Sequence, residues 1–174
     1  MKTTLKLKAA LLLIMAFVFT SAAHAQDDKK PLASPRDSVS GTVNGATITI
    51  NYGSPSVKGR KIWGGLEKYD VVWRAGANEA TTFTTDKDIW VEGKKLPAGE
   101  YGFFVIPTEN NKWTFIFNSV PKQWGAFKYD ATKDVLRVVV KAKPNTMHER
   151  LIYTVNSDSF SLVWEDVKVS AKVK

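Results

Sequence analysis

Along residues 134–141 apolar and polar positions alternate. Leu136, Val138 and Val140 fall on one face, and Val135, Arg137, Val139 and Lys141 on the other. A period of two marks a strand with one core face and one partly wet face. Residues 39–43 and 46–52 are β-rich runs separated by Asn44-Gly45, a dipeptide suited to the positive φ angles of a type I′ hairpin turn. Short β-type runs follow at 71–74, 80–85 and 89–91, with turn residues at 92–95 leading to Leu96 and again at 97–100. Residues 101–106 and 112–118 are aromatic and β-branched and joined by the loop 107–111, which predicts a central hairpin. The last strands are expected at 151–155 and 160–169, reversed at 156–159, with Phe160, Leu162 and Trp164 sharing a face. No window carries a helical period.

About ten short strands with turn signals every ~8–12 residues and no helices between them predict an all-β protein. The expected architecture is a single antiparallel β-sandwich, jelly-roll-like, with a closed barrel as the alternative. Core candidates are Trp113, Phe115, Phe117, Leu136, Val138, Val140 and Trp164, although strand alternation argues against all of them facing inward.

The N-terminal segment changes the picture. Lys2, Lys6 and Lys8 precede the apolar run 9–19, and Ala23-His24-Ala25 forms an A-x-A site, so residues 1–25 read as a signal peptide cleaved after Ala25. An apolar run this short cannot span a bilayer, which needs ~20 residues. Residues 26–37, rich in charge and proline, read as a flexible leader, and 38–170 as the β-sandwich domain. The expected location is extracytoplasmic, periplasmic or secreted, with no membrane span after cleavage.

Removing the signal peptide's three lysines lowers the net charge from +8 to +5. The remaining lysines are scattered, which argues against nucleic-acid binding. The chain of 174 residues has no cysteine, excluding disulfides, thiolate metal sites and thiol catalysis. After cleavage one histidine remains, His148, placed in the predicted loop 143–150, so a histidine metal cluster cannot be built and no metal or cofactor is expected. G-x-S-x-G and G-x-x-x-x-G-K-[ST] are both absent, so the catalytic residues are left unassigned.

Residues 51–82 hold the densest concentration of turn residues, charges and indoles. In Trp73-Arg74-Ala75-Gly76-Ala77-Asn78-Glu79, a turn could gather guanidinium, carboxamide and carboxylate around a polar ligand, or Arg74 and Glu79 could close the loop as an ion pair. Tyr52 and the 54–60 loop, with Arg60, could close over it. Trp63 and Trp124 sit in glycine-flanked, lysine-preceded turns rather than strands and are the indoles expected at the surface. They belong to an internal echo, 61–70 against 122–130, sharing Lys, Trp, Gly, Lys, Tyr and Asp with one gap. The candidate ligand-binding set is therefore Tyr52, Arg60, Trp63, Arg74, Asn78, Glu79 and Trp124.

Four stretches carry a family resemblance: Tyr52-Gly53-Ser54-Pro55-Ser56-Val57-Lys58-Gly59-Arg60, residues 72–81 around Arg74-Ala75-Gly76-Ala77-Asn78-Glu79, Gly93-Lys94-Lys95-Leu96-Pro97-Ala98-Gly99-Glu100-Tyr101, and Asp134-Val135-Leu136-Arg137. Over residues 33–170 the chain resembles the secreted bacterial family called domain of unknown function 2911. The resemblance implies an exported β-rich domain and carries no activity or binding residue with it. Where such proteins have Thr after the arginine of the second stretch, this chain has Ala75.

Three functions fit these features. A non-catalytic binding module for a carbohydrate or polar small molecule is the leading one. A hydrolase pairing Glu79 with Asp70 or Glu67 and an envelope structural or protein-interaction module are the alternatives. Oligomeric state is left open.

Overall fold

Strand β1 (Arg36–Val43) turns at Asn44-Gly45 into β2 (Ala46–Gly53), both turn residues at positive φ, 49° and 80°. The hairpin is where the local chemistry puts it. The computed structural model describes residues 33–174; the signal-peptide segment and most of the leader lie outside the described residues. Pairing begins at Arg36, two residues before the expected start, because Arg36 and Asp37 face Gly53 and Tyr52 across the ladder.

The remaining strands are β3 (Thr81–Thr85), β4 (Ile89–Val91), β5 (Lys94–Leu96), β6 (Gly99–Ile106), β7 (Lys112–Asn118), β8 (Asp134–Val155) and β9 (Ser159–Lys172). A single 3-10 turn (Ala131–Lys133) precedes β8. The all-β antiparallel class expected from the periodicity is observed. Seven strands form one antiparallel sheet in the order β1-β2-β3-β6-β7-β8-β9, nearly closed into a barrel, and β4 with β5 makes a small second sheet. Closure rests on particular contacts. Ser56, just past β2, bridges to Arg150 of β8, and a methyl placed on Gly41 of β1 would come within 2.8 Å of Val155.

Three expectations about strands need correction. Lys94 and Lys95 fall in the expected turn, but the turn is Glu92-Gly93 alone and both belong to β5. Residues 143–150, read as a loop carrying His148, belong to β8, which changes partner from β7 to β9 near Ala142 and passes through two register shifts around His148. Pro144 is tolerated there because β7 has already ended opposite Lys141. His148 is therefore a half-buried strand residue facing Glu165, not a loop residue. Finally, 71–74 is not a strand: Trp73 alone bridges to Val105, taking the place on β6 beyond the point where β3 begins.

All seven proposed core residues are buried, so the reservation about facing is overturned: Trp113, Phe115 and Phe117 occupy alternate positions of β7, and Leu136, Val138 and Val140 those of β8. Val135 and Val139 are exposed, as the alternation requires. At one end of the core four indoles cluster. Trp63 lies 5.7, 4.6 and 5.7 Å from Trp73, Trp113 and Trp164 in edge-to-face contact, and Trp73 stacks on Trp164 at 5.8 Å.

The hairpin of β6 and β7 is buried on both faces. Phe104 and Ile116, which point away from the barrel interior, are fully buried under Val72, Ala80, Ala126 and Tyr129. Double burial explains why the 101–106 run reads as continuously apolar rather than alternating. The cover consists of two excursions, residues 66–80 and 119–133, and these carry the candidate site.

Candidate functional site

Residues 74–80 leave the sheet after Trp73 and return at Thr81, whose N–H donates to the Arg74 carbonyl at 3.2 Å. Buried hydrogen bonds hold this excursion. The Ala75 carbonyl accepts from Thr81 Oγ1 at 2.9 Å and from the Tyr153 hydroxyl at 2.7 Å, while Trp73 Nε1 donates to the Gly76 carbonyl at 3.2 Å. Ala75 sits at φ 55° with no exposed surface, packed against barrel residues where solvent does not reach.

The second excursion is held by a different network. The Tyr129 hydroxyl donates to Asp134 Oδ2 at 2.6 Å, Arg137 Nε donates to the same oxygen at 2.6 Å, and Asn118 Nδ2 donates to Asp134 Oδ1 at 2.8 Å. Asn118 also donates to the Asp130 carbonyl and accepts from the Val120 N–H. The Asp134-Val135-Leu136-Arg137 stretch is thus a staple for residues 119–133. Burial and the bond to Asp134 push the Tyr129 hydroxyl up to about 12.

The two excursions pair with each other. Ala80 N–H donates to the Gln123 carbonyl, Gly125 N–H donates to the Asn78 carbonyl, and Glu79 stands opposite Trp124 in an antiparallel bridge. Residues directly opposite in such a bridge project to the same side, so Glu79 and Trp124 leave it on one face. Trp124 is 61% exposed.

A depression opens at each end of this bridge. The first, about 490 Å³, lies on the outer face of β2, β3 and β6, where register brings Asn51, Thr82 and Glu100 together, and is walled by Arg36, Glu79 and residues 121–123. Gly102 makes that wall possible: a Cβ there would come within 2.7 Å of the Val120 carbonyl. Arg36 Nη1 lies 3.5 Å from Glu79 Oε2. Gln123 Nε2 donates to the Val120 carbonyl, while its Oε1 is buried without a partner among the described residues. The second depression, about 340 Å³, is lined by Leu66, Glu67, Val71, Arg74 and Phe127 among others.

The seven residues singled out from the sequence are therefore dispersed. Glu79 and Trp124 meet at the bridge. Arg74 turns to the second depression while Glu79 walls the first, so the turn does not gather guanidinium and carboxylate, and the ion pair between them is absent because Glu79 is taken by Arg36. Asn78 Nδ2 donates to the Ser34 carbonyl at 3.1 Å. Arg60 donates to the carbonyls of Ser56 and Val57, fastening its own loop. That loop docks on β8 rather than over the turn, through Val57 N–H to the Glu149 carbonyl and Ser54 Oγ to the Leu151 carbonyl. Tyr52, 2% exposed, is a core residue whose hydroxyl donates to Asp37 and is pushed up to about 12 mainly by burial.

Trp63 corrects the expectation of a surface indole: it is 5% exposed at the centre of the indole cluster. The echo survives only as local backbone, since Gly64 and Gly125 share a left-handed conformation, φ 74° and 65°, while the preceding rings go to the core and to solvent. Pairing Glu79 with Glu67 for hydrolysis finds no common cleft, because the two line separate depressions. Asn51, Thr82, Glu100 and Gln123 were missed. Their only signal was polarity on the outward strand positions and in a turn, which many solvated residues share.

Among the described residues no helix is long and apolar enough to cross a membrane, and no group of three or more His, Asp or Glu side chains is placed to hold a metal ion. No curated protein and no solved structure matches the chain. A family model does match it, over residues 34–173, and on that match the chain belongs to the family described as "Protein of unknown function (DUF2911)".

Proposed function

We propose that the protein is an exported, non-catalytic binding module of the cell envelope whose groove on the outer face of β2, β3 and β6 takes a carbohydrate or similar polar small molecule. The observation that carries this reading is the Trp124 indole, 61% exposed and bridged across the strand pair to Glu79, which walls the groove. An exposed ring costs hydrophobic burial, and beside convergent donors and acceptors it offers a stacking platform for a sugar face. Arg36, Asn51, Glu79, Thr82 and Gln123 supply groups of both polarities, suited to hydroxyls that donate and accept at once. Export rests on the charged segment, apolar run and A-x-A site in order. Mass spectrometry of exported protein should find Gln26 at the N-terminus, and retention of Met1 would remove that part of the reading.

A thermal-shift screen against glycans tests the groove. A ligand at 100 times its dissociation constant adds about 2.7 kcal/mol of stability. Trp124→Ala and Glu79→Gln should abolish the response with little change in the melting temperature of the free protein. A glycan response that survives both substitutions would place binding elsewhere.

A further inference from the structure

The second depression has a composition the groove lacks. Its rim is apolar and left in solvent: Leu66 is 44% exposed, Val71 54% and Phe127 85%. Its lining carries three charged side chains, Glu67, Lys68 and Arg74, and among the described residues Glu67 and Arg74 form no ion pair with each other. Arg74 Nε is buried with no hydrogen-bond partner among the described residues. The Glu67 carboxyl takes part in no hydrogen bond or ion pair found among those residues, and burial raises it above the usual carboxylate range against the lowering pull of Arg74 and Arg60. A buried guanidinium Nε–H without an acceptor has an unmet cost that a bound anion would remove. The carboxylate beside it has the same need for a donor. At about 340 Å³ the space is at the small end of the ~300–1,000 Å³ range of ligand pockets.

We propose that this depression binds a free α-amino acid with an apolar side chain, its carboxylate received by Arg74, its ammonium by Glu67 and its side chain by Leu66, Val71 and Phe127. One small molecule then answers all three features: a buried arginine Nε–H without an acceptor, a carboxyl without a donor and an apolar wall without a cover. The two side chains come from differently anchored stretches of backbone. Arg74 follows the Trp73 bridge to β6, whereas Glu67 closes the turn begun at Ile62, its N–H donating to the Ile62 carbonyl. A peptide would separate the two ligand charges along its length, so the free amino acid fits better than an internal segment of chain.

Isothermal titration of the purified protein with L-phenylalanine and L-leucine tests this, alongside phenylalaninamide, which lacks the carboxylate, and N-acetylphenylalanine, which lacks the ammonium. The amino acids should bind, and each blocked analogue should bind about tenfold or more weakly, as expected when one partner of a desolvated charge pair is removed. Glu67→Gln should bring L-phenylalanine down to the level of its N-acetyl form, and Arg74→Gln to that of the amide. Because the analogue comparison runs on the unaltered protein, an unstable variant leaves the test intact. Equal binding of all the analogues, or no binding of either amino acid, would overturn the proposal. Trp124→Ala should leave amino-acid binding unchanged, so failure of the glycan screen and failure here are read separately.

Discussion

Glu79 makes its ion pair with Arg36, 3.5 Å away on β1, and not with Arg74 at the start of its own turn. Within one turn of the chain the cation and the anion are sent to different depressions. The turn therefore acts as a divider between two surfaces.

The Arg36 and Glu79 side chains are 41% and 53% exposed, so their attraction is screened. Arg36→Ala or Glu79→Gln should cost no more than about 0.2–1 kcal/mol in urea unfolding. A loss of several kcal/mol would mean the pair is a structural staple and would weaken the case for a groove function.

Asp134, with an 8% exposed side chain, holds three donors from Asn118, Tyr129 and Arg137. Asp134→Ala leaves Asn118 and Tyr129 without that acceptor and should cost about 1–3 kcal/mol. Hydrogen exchange should speed up first at residues 119–133. Unchanged exchange there would show that the segment is held by its apolar contacts to Phe104 and Ile116 instead.

The two tryptophans of the echo should behave oppositely. Trp63→Ala empties the centre of the indole cluster and should cost about 3–5 kcal/mol. Trp124→Ala removes an exposed ring and should fall within about 0.5 kcal/mol. Similar losses at both sites, measured by denaturant unfolding, would contradict the burial seen for Trp63.

All five tyrosines are raised above the ordinary tyrosine range, chiefly by burial, with Tyr52 and Tyr129 near 12. Folding thus favours the neutral phenol. Its contribution is complete below pH ~10, the unfolded value, and is lost as pH rises from there towards 12, because the unfolded chain then binds fewer protons than the folded one. The urea midpoint should fall through that window, and Tyr129→Phe should flatten the fall. A midpoint independent of alkaline pH would show that the phenols ionise as easily in the fold as out of it.

Pattern in the chain alone determined what depends on neighbours two or three residues apart. Asn44-Gly45 specifies its turn through positive φ, and the alternation in 134–141 assigns Leu136, Val138 and Val140 to the core whatever lies opposite. The all-β class follows from the same period. Only the tertiary structure decided which apolar residues cover an outer face, since Val72 and Ala126 look like any strand or loop residues until Phe104 and Ile116 are placed beneath them. Trp63 lies in a turn by every local sign and yet fills the core, because the near-closed sheet leaves a space between Trp73, Trp113 and Trp164 that its ring occupies. Asn51, Thr82 and Glu100 come together only through strand register. Arg74 and Glu79 part because the backbone between them pairs with residues 123–125, far along the chain, and side-chain direction follows that pairing rather than proximity in sequence.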